Sequence, residues 1–298
     1  MDQCTATFQQ YQPRLYGIAY RMLGSQTDAE DMVQEAYLRW YRTDSERVHS
    51  PGAWLTTTIT RLCVDRLRAA RVERDAYFGP WLPEPMVGEP SVGPDQTPEL
   101  ASDLSVAFLV VLERLAPEER AAFLLHDVFD CDYPEVAGAL GKSQASCRQL
   151  VHRARKRVRR DRPRFQVSEA ARRQLLETFC KAIQTSDTNT LLALFAEDAT
   201  WTADGGGKVA AASKMVQGGA RIAKLLTGIG RTLARKYPER VRFHLVSING
   251  ETGVLACIDG EPRWAMSVET DGLCILAGYN VLNPEKLRRI RPPHNGGG

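Results

Sequence analysis

A short helix, a glycine turn and a long basic helix are encoded consecutively by residues 132–160, DYPEVAGALGKSQASCRQLVHRARKRVRR. Asp132 and Glu135 have the spacing of a capping box, and Pro134 is tolerated in a first helical turn. Gly141 ends this helix, and Ser143 can cap the next one. Two helices joined by a short glycine-containing turn are typical of a helix-turn-helix, which places its second helix in the major groove of DNA.

The second helix of this unit separates apolar from basic side chains. Its apolar positions fall on one helical face, which we expect to pack inward: Cys147, Leu150, Val151, Ala154 and Val158. Arg and Gln in its N-terminal half can reach base edges, whereas the cations further along suit phosphates. A packed core position is the alternative for His152, but its place on the basic face favours DNA. The predicted DNA contacts are Ser143, Gln144, Arg148, Gln149, His152, Arg153 and Lys156.

Positive charge is concentrated in the same region. Between Arg148 and Arg164 the chain has nine basic residues and one acid, Asp161, so this segment has a net charge of +8. Because the whole chain has a net charge of +3, the remainder has a net charge of −5. A positive stripe on a near-neutral protein indicates a polyanionic partner, and nucleic acid is the commonest one. A solvated basic helix is the alternative interpretation.

Composition excludes several classes of protein. With 298 residues, 43% of them hydrophobic and 25% charged, the chain is neither disordered nor fibrous. No apolar stretch approaches the ~18 residues that cross a bilayer, and no signal-peptide pattern opens the chain, so we expect a cytoplasmic protein. Seven cysteines without a CxxC pair predict neither disulfides nor a zinc site. We predict no metal or cofactor and, without a heptad seam, a monomer when free.

The first part of the chain divides into a helical domain and a linker. Residues 1–76 have helical periodicity, with Thr27 as the expected cap of the second helix. Residues 77–100 contain six prolines and three glycines, a density that sustains neither helix nor central strand. Trp81 and Leu82 are too apolar for a passive spacer, so we expect this part of the linker to dock on another surface.

The second part contains two further domains. Residues 101–164 form a second all-helical domain that includes the helix-turn-helix. Residues 168–291 begin with helices and then change to strand periodicity, which predicts an α+β domain, and residues 292–298 form a tail. Three turn pairs punctuate the strands and predict an antiparallel meander: Asn249-Gly250, Asp259-Gly260 and Asp271-Gly272.

Motifs in the two helical domains resemble those of bacterial extracytoplasmic-function (ECF) RNA polymerase sigma factors. The motifs are Asp28-Ala29-Glu30-Asp31 to Gln34-Glu35, Pro51-Gly52-Ala53-Trp54-Leu55, Asp65-Arg66-Leu67-Arg68, and the helix-turn-helix. The resemblance implies that Asp31, Gln34 and Glu35 bind core RNA polymerase. It implies that the helix-turn-helix binds the minus-35 promoter element, and that the minus-ten element is melted and read by Trp54, Arg61, Asp65, Arg66 and Arg68. A packed core position is the alternative interpretation of Trp54. A solvated helix face is the alternative for Asp31, Gln34 and Glu35.

Three further motifs are similar to those of ECF41-type sigma factors, which carry a C-terminal SnoaL-like (NTF2-like) cone. They are Trp81-Leu82-Pro83-Glu84-Pro85, Asp204-Gly205-Gly206-Gly207-Lys208 and Asn283-Pro284-Glu285-Lys286. The glycine segment is not a phosphate-binding loop, because Val209 stands where that motif requires Ser or Thr. We interpret it as a tight loop that holds the linker, and we predict a sigma factor regulated in cis by its third domain.

SnoaL-like folds contain a pocket, and some members are cyclases or isomerases. The candidate pocket residues are Trp201, His244, Trp264 and Tyr279, with a small molecule as the expected ligand. No motif places a second acid–base group beside them, so we predict a regulatory domain rather than an enzyme. The alternatives are a DNA-tethered SnoaL-type enzyme and a helix-turn-helix repressor.

Overall fold

Two structural units make up the chain. The computed structural model describes residues 3–44, 48–88, 104–161 and 167–292. The first unit combines Met1–Ala76 with Phe108–Pro163, and the second combines Tyr77–Ala107 with Arg164–Gly298. The two predicted helical domains therefore share one unit, whereas the linker belongs to the unit of the third domain. The later part of the predicted linker, the basic residues Arg162 and Arg164, and most of the predicted tail lie outside the described residues.

The first unit begins with α1 (Gln3–Leu23), α2 (Gln26–Tyr41) and α3 (Pro51–Asp75). The prediction that Thr27 caps α2 is wrong. Ser25 caps it instead, because its backbone is extended and its hydroxyl accepts a hydrogen bond from the Asp28 N–H at 3.2 Å. Thr27 lies inside the first turn.

The second half of this unit consists of α4 (Val106–Leu112), whose first two residues belong to the second unit, α5 (Pro117–Phe123), a π-helical turn (Leu124–Val128), α6 (Tyr133–Leu140) and α7 (Gln144–Asp161). The predicted capping box is confirmed: the Glu135 N–H donates to Asp132 at 2.8 Å, and the Asp132 N–H donates to Glu135 at 3.0 Å. Gly141 adopts a left-handed conformation (φ 63°), and Ser143 caps α7. The α6–α7 pair is therefore a helix-turn-helix.

The apolar face of α7 is buried as predicted. Each of its five apolar side chains is at most 8% exposed. Burying a side chain such as Val or Leu contributes roughly 1.5–3 kcal/mol. This face therefore fixes the rotation of α7, and the polar face points outward.

The second unit contains α8 (Glu169–Thr185), α9 (Thr188–Leu194), β1 (Phe195–Asp204), β2 (Val216–Gln217), α10 (Gly219–Lys236), β3 (Val241–Ile248), β4 (Glu251–Ile258), β5 (Glu261–Thr270), β6 (Ile275–Val281) and α11 (Pro284–Leu287). The strand order is β2-β1-β6-β5-β4-β3. The predicted antiparallel meander β3–β6 is confirmed. Outside this meander, β1 pairs with β6 in parallel, so the six-stranded sheet is mixed.

One face of this sheet packs against the helices. Trp201 of β1 is 2% exposed and lies 6.1 Å from Phe179 of α8 and 6.0 Å from Phe195, measured between ring centroids. Gly278, its neighbour on β6, has no side chain, and a Cβ there would lie 2.2 Å from the Trp201 ring. Trp201 therefore fills the interior beneath the helices.

Candidate DNA-binding surface and linker anchor

The outward face of α7 and its preceding turn carry exposed side chains. All seven predicted minus-35 contacts are exposed: Ser143, Gln144, Arg148, Gln149, His152, Arg153 and Lys156. The Arg148 guanidinium lies 4.9 Å from the Tyr133 ring centroid and donates to Gln144 at 3.4 Å. A cation over an aromatic face is held by the ring quadrupole, so Tyr133 orients Arg148 beside the turn.

Part of the basic charge of α7 is paired within the unit. Arg153 and Arg157 donate to the two carboxylate oxygens of Glu119 at 2.9 and 2.7 Å, and the Glu119 side chain is only 7% exposed. Arg155 forms a two-pronged pair with Asp127 at 2.7 and 2.8 Å. Hydrogen bonding to Asp127 raises the pKa of Arg155. Acids of α5 and the π-helical turn thus hold three arginines in place while leaving them partly exposed.

The predicted minus-ten residues lie along α3, but all three arginines of this set bind other groups of the same unit. Arg61 donates to the carbonyls of Ala139 and Gly138, at the end of α6, at 2.9 and 2.8 Å. Arg68 pairs with Glu118 of α5 at 2.7 Å and with Asp65 at 3.3 Å. The structure therefore places these two arginines between the two helical regions.

The remaining minus-ten residues are held within the first helical region. Arg66 pairs with Asp28 at 3.2 Å and with Glu73 at 3.1 Å. Trp54 is half-buried, with its ring centroid 5.4 Å from that of Trp40. One edge of Trp54 is thus packed while the residue keeps some exposed surface.

The predicted polymerase contacts lie on the outward side of α2. Asp31 and Gln34 are exposed, and Glu35 is half-buried and pairs with Arg39 at 2.8 Å. Beside them, Leu38 is 41% and Tyr41 is 59% exposed. Sequence analysis did not identify these two apolar residues as part of a site, although large exposed apolar side chains next to polar ones are typical of protein interfaces.

A buried ionic cluster joins the two helical regions, and sequence analysis missed it. Glu113 of the segment after α4 binds Arg74 of α3 and, at 2.6 Å, Arg120 of α5. Arg120 is 2% exposed and also donates to the carbonyl of Met22 at 2.6 Å. Removing one partner of such a cluster leaves a buried charge without compensation, so the cluster specifies how the two regions pack.

Asp204, at the end of β1, is the centre of the linker anchor. Its side chain is completely buried. One carboxylate oxygen accepts hydrogen bonds from the Leu82 N–H at 2.9 Å and the Lys286 ammonium at 2.7 Å, and the other accepts from the Tyr77 hydroxyl at 2.6 Å. Burial and the hydrogen bond to Asp204 raise the pKa of Tyr77.

The three predicted motifs meet at this carboxylate. Lys286 also lies 4.2 Å from the Trp81 ring centroid, and Asn283 donates to the Tyr77 hydroxyl at 2.9 Å. Gly206 has a left-handed φ of 59°, and a Cβ there would lie 2.3 Å from the Asn283 amide nitrogen. Glycine is therefore required in this loop. Leu82, Pro83, Glu84 and Pro85 are all buried.

A second anchor, absent from the predicted sites, is the turn residue Asn249. Its side-chain oxygen accepts from the Met86 N–H at 3.0 Å, and its side-chain nitrogen donates to the Leu104 carbonyl at 3.0 Å. Val87 forms an antiparallel bridge to Ile248 at the edge of β3. One buried side chain thus binds the chain at both Met86 and Leu104.

The structure does not bring the four candidate pocket residues together. Trp201 belongs to the hydrophobic core, and Trp264 lies on the same sheet face, 5.9 Å from Phe243 between ring centroids. In the strand register, His244 and Tyr279 fall on the opposite face. Tyr279 donates to Glu269 at 3.1 Å.

Comparison with known proteins identifies the class. The chain matches the family models of Sigma-70 region 2 over residues 7–72 and Sigma-70 region 4 over residues 105–158. It belongs to the ECF RNA polymerase sigma factors, and it is a transcription initiation factor rather than an enzyme. This assignment confirms the predicted sigma-factor function over the enzyme and repressor alternatives, and the fold class with its two sigma regions is confirmed as well.

Two relatives extend over the whole chain. ECF RNA polymerase sigma factor SigJ of Mycobacterium tuberculosis is 36% identical, with 97% of each chain covered. The probable ECF sigma factor SigI of the same species is 28% identical, with 99% of each covered. The crystal structure of SigJ matches with a TM-score of 0.72, 34% identity, and 95% and 98% of the two chains covered. Among the described residues, no helix is long and apolar enough to cross a membrane.

Proposed function

We propose that this sigma factor is restrained in cis by its third domain, which holds the linker at Asp204 and Asn249. The observation that carries the proposal is the buried Asp204 carboxylate, which binds the Leu82 N–H, Tyr77 and Lys286 at once. A carboxylate shielded from water binds its donors more strongly than one at the surface. The linker is therefore bound to the third domain. A bound linker cannot extend, and this keeps the two sigma regions from separating.

The arrangement of the first unit supports this restraint. Arg61 and Arg68, assigned here to the minus-ten element, bind α6 and Glu118 instead. While these bonds persist, the same donors cannot bind DNA phosphates or bases. Binding of core RNA polymerase to α2, through Asp31, Gln34 and Glu35, separates the regions and frees the two arginines. The exposed face of α7 then reads the minus-35 element, with Arg148 and Gln149 at base edges.

The test compares two substitutions in the full chain by promoter-dependent transcription with core polymerase. Asp204→Asn removes the charge that binds Lys286, a residue only 12% exposed. Asp259→Asn is the matched control, because it makes the same change at a carboxylate whose pair with Arg240 is at the surface, where ion pairs contribute little. We expect Asp204→Asn to change transcription several-fold and Asp259→Asn to leave it near wild type. Equal transcription by the two variants would rule out restraint through this anchor.

A small-molecule signal is a second input that one observation favours. Between α8, α10 and β3 lies a cavity of about 380 Å³, lined mainly by apolar side chains such as Ile183, Leu233, Tyr237 and Phe243. This volume is within the range of ligand pockets. The cavity differs in place from the four residues predicted by sequence. A thermal-shift screen of apolar carboxylates against the full chain tests it, with Leu233→Trp as the variant that fills the cavity and abolishes any shift.

A further inference from the structure

Helix α10 of the third domain concentrates the positive charge of that domain. Its 18 residues include five basic and no acidic residues. Elsewhere, residues 167–292 contain 12 basic and 13 acidic residues. The excess positive charge of the domain therefore lies on one helix, at Arg221, Lys224, Arg231, Arg235 and Lys236.

Four of these cations form a stripe along the outward side of α10. At 3.6 residues per turn, Arg221, Lys224, Arg231 and Arg235 project within an arc of about 80°, and they extend over about 21 Å of helix axis. All four are exposed, while Ile222, Ala223 and Leu226 of α10 are buried in the core. Within the described ranges, none of the four charged groups takes part in an ion pair or hydrogen bond. We refer to these four residues as the α10 stripe.

The α10 stripe differs from an ordinary solvated helix face. Such faces usually mix charges of both signs, as α8 does with Glu169, Arg173, Glu177 and Lys181. Arg231 and Arg235 are four residues apart, a spacing at which like charges repel and destabilise a helix. Gly228 lies in the middle of the stripe with no heavy atom within 4 Å of its Cβ position, so a partner can approach the helix backbone there. Unpaired like charges around a bare backbone are complementary to a polyanion.

We propose that the α10 stripe binds the phosphate backbone of promoter DNA, as a contact additional to those of the two sigma regions. This inference rests on the proposed function, in which the chain acts on a promoter within the polymerase holoenzyme. One DNA strand presents a phosphate about every 3.4 Å along the duplex axis, so the stripe is long enough for all four cations to meet phosphates. Phosphate contacts carry no base information, so the stripe adds affinity and leaves promoter choice unchanged.

The experiment measures how salt weakens binding of the holoenzyme to a duplex that the wild-type holoenzyme has selected from a random-sequence pool. The variant removes the stripe, and the matched control removes four other exposed basic residues of the same domain. The variant is Arg221→Gln, Lys224→Gln, Arg231→Gln and Arg235→Gln. The control is Arg173→Gln, Lys181→Gln, Lys214→Gln and Arg263→Gln.

Each lost phosphate contact reduces the slope of log affinity against log salt by about 0.9. We expect the stripe variant to lose about 2–4 from this slope and the control to match the wild type, with the preferred promoter sequence unchanged in both. Identical slopes for the stripe variant and the control would overturn the proposal. Weaker binding to core polymerase with an unchanged DNA slope would also overturn it, because the partner would then be an acidic protein surface.

Promoter selection by the wild-type holoenzyme distinguishes a failure of this inference from a failure of the function on which it rests. If wild-type holoenzyme selects no promoter, the promoter-directed action on which this inference rests fails. The full chain alone, titrated on a mixed-sequence duplex, then still reports on the stripe through the same two variants. A reduced slope for the stripe variant alone supports the phosphate contact, and equal slopes reject it.

Discussion

At the scale of single residues, Asn249 shows how one side chain controls a long segment. Replacement by Gly keeps the left-handed turn, since Asn249 has φ 53°, and removes the side-chain bonds to Met86 and Leu104. A hydrogen bond contributes about 0.5–1.5 kcal/mol net, so we expect the protection of the Met86 amide against hydrogen exchange to fall about tenfold.

Hydrogen-exchange mass spectrometry of the linker peptide measures this change. The control must be a substitution by Gly in another turn, because a change at a strand position such as Asn280 would alter the sheet itself. Asp259→Gly is suitable, because Asp259 also occupies a left-handed turn (φ 55°) and its side chain pairs with the exposed Arg240, away from the linker. Equal linker protection in Asn249→Gly and Asp259→Gly would contradict the second anchor.

Tyr77 gives the linker anchor a defined pH dependence. Its pKa is raised by burial and by the hydrogen bond to Asp204, so the folded state favours the neutral phenol. The stabilisation is therefore complete below the ordinary tyrosine pKa of about 10 and is lost as the pH rises above that value. We expect the difference in unfolding free energy between wild type and Tyr77→Phe to shrink above pH ~10. Urea denaturation of both proteins across this range measures it, and a constant difference would exclude the titration.

At the scale of elements, adjacent residues of α5 have different roles in holding α7. Glu119 is buried and binds two arginines of α7, whereas the Glu118 side chain is 32% exposed and binds Arg68 and Lys142. Charge-assisted bonds in a shielded site contribute about 1.5–3 kcal/mol, so we expect Glu119→Gln to destabilise the helical unit by about 2 kcal/mol. We expect Glu118→Gln to cost under about 1 kcal/mol. Urea denaturation followed by circular dichroism compares them, and equal costs would show that burial of Glu119 is not what matters.

At the scale of the whole molecule, our proposal requires core polymerase to separate the two helical regions of the first unit. Their contacts include Arg61 with the end of α6 and the buried cluster around Glu113. We expect energy transfer between fluorophores on the exposed positions Val72 of α3 and Arg159 of α7 to fall when core polymerase binds.

A control pair reports on the first helical region alone. Gln12 of α1 and Val72 of α3 are both exposed and belong to the same region, so their energy transfer should stay constant. Because the chain has seven cysteines, the labels are introduced on non-natural side chains. Unchanged transfer between Val72 and Arg159 in the polymerase complex would contradict the opening.

Interactions between residues close together in the chain could be predicted from the sequence by itself. The capping box of α6, the glycine that ends it and the amphipathic pattern of α7 depend on residues within one or two helical turns, and the structure contains all three. The motifs shared with sigma factors were readable for the same reason, since they are short and contiguous. Even locally, competition between neighbouring caps was not resolved, because Ser25 and Thr27 offer the same hydroxyl chemistry two residues apart.

Only the tertiary structure decided which distant groups meet. Asp204 and Leu82 are 122 positions apart, and Arg61 and Ala139 are 78 apart, so no periodicity links them. The parallel pairing of β1 with β6, the choice of Asn249 as second anchor and the neutralisation of α7 arginines by Glu119 and Asp127 arise in the same way. Such contacts depend on chain topology and on burial, which bring together charges and backbone groups that lie far apart in sequence.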